Sequence, residues 1–404
     1  MSASRFCLTR DPGLSRSLTD RFCSNGDTIE SVSDVGTACA KTRGLPCSTV
    51  FVDFRQAAQV ASLELFFEPL SRGELGRVDM IAATDGVLPL STAAFADLYS
   101  VKTLRLPLQT AECKEIAHFL SSGGRINGHR CTPECRTLSG GPLSITTYEP
   151  RMFKTIDLLE RVASKDVPLL LVGETGTGKT TLAQIIHNQS PRRDEPFHNV
   201  ACGALPPTLI ESDLFGHARG AFTGADRHKI GRFQAARKGT LLLDEIDVLG
   251  PNEQVKLLRI IETGQYEPVG MTETRKSQAR LIAASNVDLE AVVESRRFRS
   301  DLYYRLNVLQ FRLFPLRERV ADIVPMAVIF IEESCRQHGI PIRSVSRDFL
   351  DCLKRFSWPG NIRELKNHLQ RAVLLNQDGG LSPRDLTEAV REAPQNAPWL
   401  PNRV

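Results

Sequence analysis

Apolar and polar positions along this chain fall into blocks whose period changes. From Phe6 to about Gly124, short apolar runs such as "STVFVDF", "DMIAATD" and "VKTLRLPL" alternate with segments of helical spacing such as "LSRSLTDRFCSNG", "LSTAAFADLY" and "AECKEIAHFL". Strands that alternate with helices predict a parallel α/β sheet, here a small domain over 1–124. The stretch 125–147 is rich in Gly, Ser and Pro without periodicity and predicts a linker. A larger α/β domain follows over 148–318, with buried-strand runs "VPLLLVG", "GTLLLDEID" and "ARLIAASNVDL". After "FPLRERVADI" only helical patterns remain, so 319–380 is expected as a helical subdomain and 381–404 as a tail.

Composition narrows the class without deciding it. The 404 residues are 41% hydrophobic and 24% charged, enough for two or three soluble domains. The longest apolar runs fall well short of the ~20 residues that span a bilayer, so no membrane helix is predicted. "MSASRFCLTRD" lacks the layout of a secretion signal, and the ten cysteines are expected reduced in a cytoplasm. A net charge of +4 is too small to announce nucleic-acid binding. His129, Cys131 and Cys135 in "GHRCTPECR" are either zinc ligands, a redox pair or incidental thiols, and their loose spacing favours the last.

The chemistry concentrates in "LLLVGETGTGKTTLAQII". Gly173, Gly178, Lys179 and Thr180 fit G-x-x-x-x-G-K-[ST] between an apolar strand and a helix. In that setting the loop from Gly173 through Glu174, Thr175, Gly176, Thr177 and Gly178 to Thr181 wraps phosphates with its amides. Lys179 reaches the β and γ phosphates, and the Thr180 hydroxyl ligates magnesium. "GTLLLDEID" ends a strand in Asp244, suited to the magnesium shell, and Glu245, suited to orient or deprotonate a water. Ser285 and Asn286 end a further strand where neutral polar groups sense a γ-phosphate or position water. Arg299 and Arg305 are either surface charges or guanidinium groups for a transferred phosphoryl, and Arg363 opens a helix from which it can touch nucleotide.

Together "GETGTGKT", "ESDLFGHARGAFTGA", "GTLLLDEID", "FRSDLYYRLNVLQFRLFPLRER" and "WPGNIRELKN" resemble the central domain of the sigma-54-dependent transcriptional activators. These form a branch of the AAA+ ATPases also called bacterial enhancer-binding proteins, and the resemblance covers about Tyr148 to Gln377. It implies an AAA+ P-loop fold with an α/β core and a helical lid, and a ring, typically a hexamer, that hydrolyses ATP with magnesium at subunit interfaces. It implies as partners sigma-54 and the RNA polymerase holoenzyme, remodelled from closed to open promoter complex. The hexapeptide Gly220, Ala221, Phe222, Thr223, Gly224 and Ala225 is implied to be the mobile sigma-54 contact, which accounts for an exposed Phe222. Arg299 and Arg305 match the trans-acting arginines and Arg363 the lid sensor. One position departs: relatives carry an asparagine that holds the catalytic glutamate, where this chain has Ala201, with Asn199 two residues earlier as a partial substitute.

The first domain resembles a degenerate response-regulator receiver. Asp53 takes the phosphoacceptor place, Thr84 the switch hydroxyl and Pro107 the proline after the fifth strand. Of the acidic pair that would hold magnesium only Asp11 stands, beside Thr9 and Arg10, and Leu106 replaces the lysine, so ordinary aspartyl phosphorylation is not expected and Arg10 is a candidate partner for Asp53. The C-terminal stretch "LSPRDLTEAVREAPQNAPWLPNRV" carries no basic recognition helix, so no specific DNA binding is expected and a second subunit is expected to supply it. The alternative is a slow or inactive regulatory subunit that enters mixed rings with a complete activator.

Overall fold

A computed structural model describes residues 4–23, 28–43, 45, 47–55, 77–121, 134–222 and 225–393. They form two compact units, one drawn from Met1–Glu134, Val320–Ser357 and Leu365–Val404, the other from Cys135–Arg319 and Trp358–Glu364.

In the first unit β1 (Ser4–Leu8), α1 (Pro12–Phe22), β2 (Ile29–Val32), α2 (Val35–Thr42), β3 (Cys47–Asp53) and β4 (Arg77–Thr84) are followed by a short β5 (Val87–Pro89), α3 (Leu90–Tyr99), β6 (Ser100–Arg105) and α4 (Thr110–Ser121). Five of these strands make a parallel sheet in the order β2-β1-β3-β4-β6. Its central strands carry apolar residues on both faces, such as Val50 to Val52 and Ile81 to Ala83, because helices cover both sides. Asp11 starts α1 by accepting from the Gly13 and Leu14 amides.

The second unit begins with an antiparallel hairpin, β7 (Arg136–Gly140) and β8 (Leu143–Thr147). This lies where the Gly- and Ser-rich composition predicts a linker, yet Leu138 is fully buried and Asn188 and Gln189 donate to the carbonyls of Gly140 and Ser139. The main sheet consists of β9 (Leu169–Val172), β10 (Phe197–Ala201), β13 (Thr240–Asp244), β16 (Arg280–Ser285) and β17 (Gln310–Arg312). All are parallel, in the order β10-β13-β16-β9-β17. Between them run α5 (Pro150–Ala163) before β9, α6 (Lys179–Gln189) after it, and α7 (Pro207–Phe215) after β10. The small strands β11 (Gly216–His217) and β12 (Lys229–Ile230) pair next, as do β14 (Gln265–Tyr266) and β15 (Arg275–Lys276). Leu169 to Leu171 and Leu241 to Leu243 are fully buried; Leu182, Ile185 and Ile186 turn one face of α6 onto Leu169, Leu171 and Leu242, while Leu170, Leu241 and Leu243 join the core on the other face of the sheet. Parallel strands that end side by side gather their following loops at one edge of the sheet, where α/β proteins bind ligands.

The region expected as purely helical contains strands as well. After α8 (Val320–His338) come β18 (Ser344–Ser346), α9 (Arg347–Arg355), α10 (Asn361–Leu375) and β19 (Gly380–Leu381). β18 pairs with β19 on one side and antiparallel with β5 of the N-terminal sheet domain on the other, Val345 standing opposite Leu88. The Leu90 amide donates to the Arg343 carbonyl and the Arg347 amide to that of Gly86, each within 3.0 Å. Lys354 meets Asp97 at 2.5 Å and Arg105 meets Asp348 at 3.0 Å. The start of the expected tail also packs, with Leu386 and Val390 buried.

Candidate functional site: a phosphate loop and its acidic partners

The loop after β9 turns through left-handed backbone at Gly176 (φ +80°) and Gly178 (φ +102°), and α6 starts at Lys179. Gly176 cannot be replaced: a Cβ there would stand 2.2 Å from the Gly360 carbonyl oxygen. The Thr177 hydroxyl donates to the Glu174 carbonyl at 2.8 Å, which closes the loop on itself.

Lys179 is only 5% exposed. Its ammonium donates to the carbonyls of Gly173 at 2.6 Å and Glu174 at 3.0 Å, and to Asn286 Oδ1 at 2.6 Å. Burial holds its pKa below the usual lysine range despite the pull of Asp244 and Glu245. A buried ammonium among neutral acceptors is better matched by an anion. Beside it, the Thr180 hydroxyl lies 3.4 Å from Asp244 Oδ2, and the Glu245 amide donates to Asp244 Oδ1 at 3.0 Å. Glu245 itself sits at φ +56°, and its Oε2 lies where a Cβ on Gly203 would be, 2.1 Å away. Asn286 Nδ2 donates to Glu245 Oε1 at 3.3 Å. The Ser285 hydroxyl donates to Asp247 Oδ1 at 2.8 Å and so points away from this set.

Ala201 stands opposite Asp244 in the sheet, as its place in the strand implies, while Asn199 is exposed and opposite Leu242. A polar group that meets Glu245 is Asn286, just past the end of β16 and away from β10, which carries Asn199.

Sequence reasoning misses a second layer. Arg317 clasps Glu174 with two bonds of 2.8 and 2.6 Å, and Asn361 Nδ2 reaches Glu174 Oε2 at 3.1 Å and the Thr175 carbonyl at 3.0 Å. The Arg317 guanidinium holds the Glu174 carboxyl below the usual range. The Ile362 amide donates to the Gly176 carbonyl, which brings Arg363 against the loop. These partners lie 143 and 187 residues from Glu174 in the chain, so no local motif announces them.

Arg299 and Arg305 do not join the set around Lys179. They are exposed and paired with Asp301, at 2.7 and 3.0 Å, and with Glu262 at 3.0 Å. In the hexapeptide, the Gly220 amide donates to the Ala225 carbonyl at 2.8 Å, and Thr223 and Gly224 lie outside the described residues. Phe222 is half-buried, its ring edge-on to that of His217 at 4.9 Å, and not fully exposed as expected. Cys135 is an exposed free thiol, His129 and Cys131 lie outside the described residues, and among the described residues no metal-holding group of His, Cys, Asp and Glu is found. No described helix is long and apolar enough to cross a membrane.

At the corresponding edge of the N-terminal sheet, Asp53 is 1% exposed. Arg55 donates to both of its oxygens at 2.9 Å and to Asp11 Oδ2 at 3.0 Å, while the Thr9 hydroxyl donates to Asp53 at 2.8 Å. A cation in this site is thus Arg55, two residues beyond the carboxylate, which sequence reasoning did not single out beside Arg10. Thr84 Oγ1 donates to the Val87 carbonyl at 2.9 Å and so braces β5.

Known proteins agree with this geometry. Residues 145–312 match the Sigma-54 interaction domain and 317–400 the AAA+ ATPase lid domain. The Nif-specific regulatory protein of Azotobacter vinelandii is 44% identical over 271 residues, 66% of this chain and 52% of that protein. The response regulator protein FleR of Pseudomonas aeruginosa is 43% identical over 246 residues, 61% of this chain and 51% of that one. The chain thus spans about half the length of these relatives. The crystal structure of NtrX from Brucella abortus in complex with ADP shares the fold, with TM-score 0.57 and 24% identity over 100% of this chain and 88% of that one. A Sigma-54 interaction domain joined to an AAA+ lid makes this chain a member of the sigma-54-dependent transcriptional activator family.

Proposed function

We propose that the chain hydrolyses ATP and uses the energy to remodel sigma-54 RNA polymerase holoenzyme through the Gly220 to Ala225 loop. The observation that carries this reading is the convergence of Lys179, Thr180, Asp244, Glu245 and Asn286 at one sheet edge. The loop amides and the start of α6 bind phosphate, and Lys179 compensates its charge. Thr180 and Asp244 offer two hard oxygens 3.4 Å apart, a donor set that suits magnesium, which supplies charge compensation at the phosphates when bound. Glu245 orients and deprotonates the attacking water.

The exposed Arg299 and Arg305 support a ring, because guanidinium groups held away from their own subunit's phosphate loop are available to a neighbour's. Their present partners, Asp301 and Glu262, are exposed and worth little, so exchange for a phosphate is inexpensive. ATP turnover by the purified chain tests the reading, with retention of sigma-54 under a transition-state nucleotide analogue as the second arm. Phe222→Ala and Thr223→Ala are expected to abolish retention and spare turnover. Retention by both variants would make the loop structural.

One observation favours a second reading, a slow subunit that modulates a complete activator: Ala201 has no group to bond Glu245. Absence of ATP turnover by the chain, restored by Ala201→Asn, would select it.

A further inference from the structure

We propose that Asn286 is a positioning residue that latches Lys179 and Glu245 together before nucleotide arrives, and that phosphate binding opens the latch. This rests on the nucleotide reading of the site and goes beyond it.

The two ends of one amide are used with matching polarity. Its oxygen accepts from the Lys179 ammonium at 2.6 Å, and its nitrogen donates to the Glu245 carboxylate at 3.3 Å. An amide with both ends so engaged cannot turn over without losing both bonds. The three donors of Lys179 are matched by three acceptors, the Gly173 and Glu174 carbonyls and Asn286. A phosphate oxygen can approach the ammonium only by displacing one of them. The two carbonyls belong to the loop backbone, fixed by the turn at Gly176 and by the Thr177 bond to Glu174. Asn286 is a side chain and can rotate away, which makes it the partner that yields.

The second end of the amide then matters. Glu245 stands on left-handed backbone with Oε2 over Gly203, and Oε1 is the oxygen that Asn286 holds. Ala201, on the neighbouring strand opposite Asp244, presents a methyl group and no donor. Once a phosphate draws Lys179 away, Asn286 loses its anchor and Glu245 is free to take a water. The catalytic carboxylate is restrained while the site is empty, and occupation of the site releases it.

ADP separates this from γ-phosphate sensing, since it offers Asn286 no γ-phosphate to touch. In the full chain, Asn286→Ala removes a competitor for Lys179 and should tighten ADP binding without magnesium roughly tenfold, the scale of one hydrogen bond to a charged group. Asn286→Asp keeps an acceptor for Lys179 and makes it anionic, so it should weaken ADP binding. Opposite signs from two substitutions at one position are not expected of a residue that merely supports the fold. ADP binding that is unchanged or weakened by Asn286→Ala would overturn the latch alone. Failure of the unsubstituted chain to bind ADP would remove the nucleotide reading, and the latch with it.

Discussion

Each of the two parallel sheets ends in a cation among carboxylates, and the two cations are held in opposite ways. Lys179 is buried and bonded to two carbonyls and an amide, neutral acceptors that leave it without a direct ion pair while Asp244 and Glu245 act on it from nearby. Arg55 is bonded to Asp53 and Asp11, which compensate it in full. A buried cation without a direct ion pair gains from an arriving anion, whereas a compensated one would have to give up an existing pair. The first arrangement is a binding site. The second is a finished structure whose cation came with the chain. A covalently attached guanidinium bonded to both Asp53 and Asp11 competes with any exchangeable cation for these carboxylates, so phosphoryl transfer to Asp53 is not expected.

The contrast can be broken most sharply at the two cations themselves. Lys179→Ala should weaken ATP binding about a hundredfold or more, the scale of losing a buried hydrogen-bonded charge at a ligand, and Arg55→Ala should leave it unchanged by calorimetry. Next in size, Arg55→Ala removes the guanidinium that the buried Asp53 carboxylate holds with both oxygens. It should destabilise the N-terminal sheet by about 3 kcal/mol, the lower end for a broken buried pair, read as faster amide exchange in β1 and β3. Adding Asp53→Asn should recover most of that loss, and failure to recover would mean the pair is not the cause. Acetyl phosphate should add no phosphoryl group to the unsubstituted chain by intact mass, and stoichiometric modification of Asp53 would undo the comparison.

A smaller effect concerns acid. Arg55 holds the Asp11 carboxyl below its usual range, and Arg317 does the same for Glu174. A carboxyl depressed in the folded state contributes stability above its ordinary pKa of about 4, and that contribution is lost as pH falls through the folded value. Denaturation midpoints should therefore fall between pH 5 and pH 3, and fall less in Arg317→Ala, which has already lost its share. The smallest difference is in thiol chemistry: burial pushes Cys7 up to about 12, so at pH 8 it should resist alkylation that the exposed Cys135 accepts.

How much of this was legible in the sequence follows from how local each feature is. The phosphate loop is contiguous, and its glycines, Lys179 and Thr180 announce it by spacing. Asp244 and Asn286 are legible because a buried strand is a continuous apolar run and its last polar residue marks the sheet edge. Arg317 and Asn361 were not, since an arginine that clasps a carboxylate 143 residues away looks like any surface charge until the chain folds. Arg55 was closer to view, two residues after Asp53, yet only a backbone that turns there lets its side chain fold back over the acid. The hairpin β7–β8 was hidden by composition: Gly141 and Pro142 make the turn, and five-residue strands whose one fully buried apolar residue is Leu138 carry little apolar pattern. The three-residue β18 is shorter still.

That short strand has a consequence for anyone who truncates the protein. β18 is flanked by β19 on one side and β5 on the other, so the lid fold borrows its outer strand from residues 87–89. Cutting the chain after residue 134 to obtain a minimal ATPase would strip that neighbour away. The fragment would present bare amide and carbonyl groups from Ser344 to Ser346 together with Val345, now fully buried. Exposed strand edges of this kind recruit other strands. Poor solubility of such a fragment would then reflect a missing piece of fold, and supplying residues 77–121 as a fused or separate partner is the remedy that the pairing suggests.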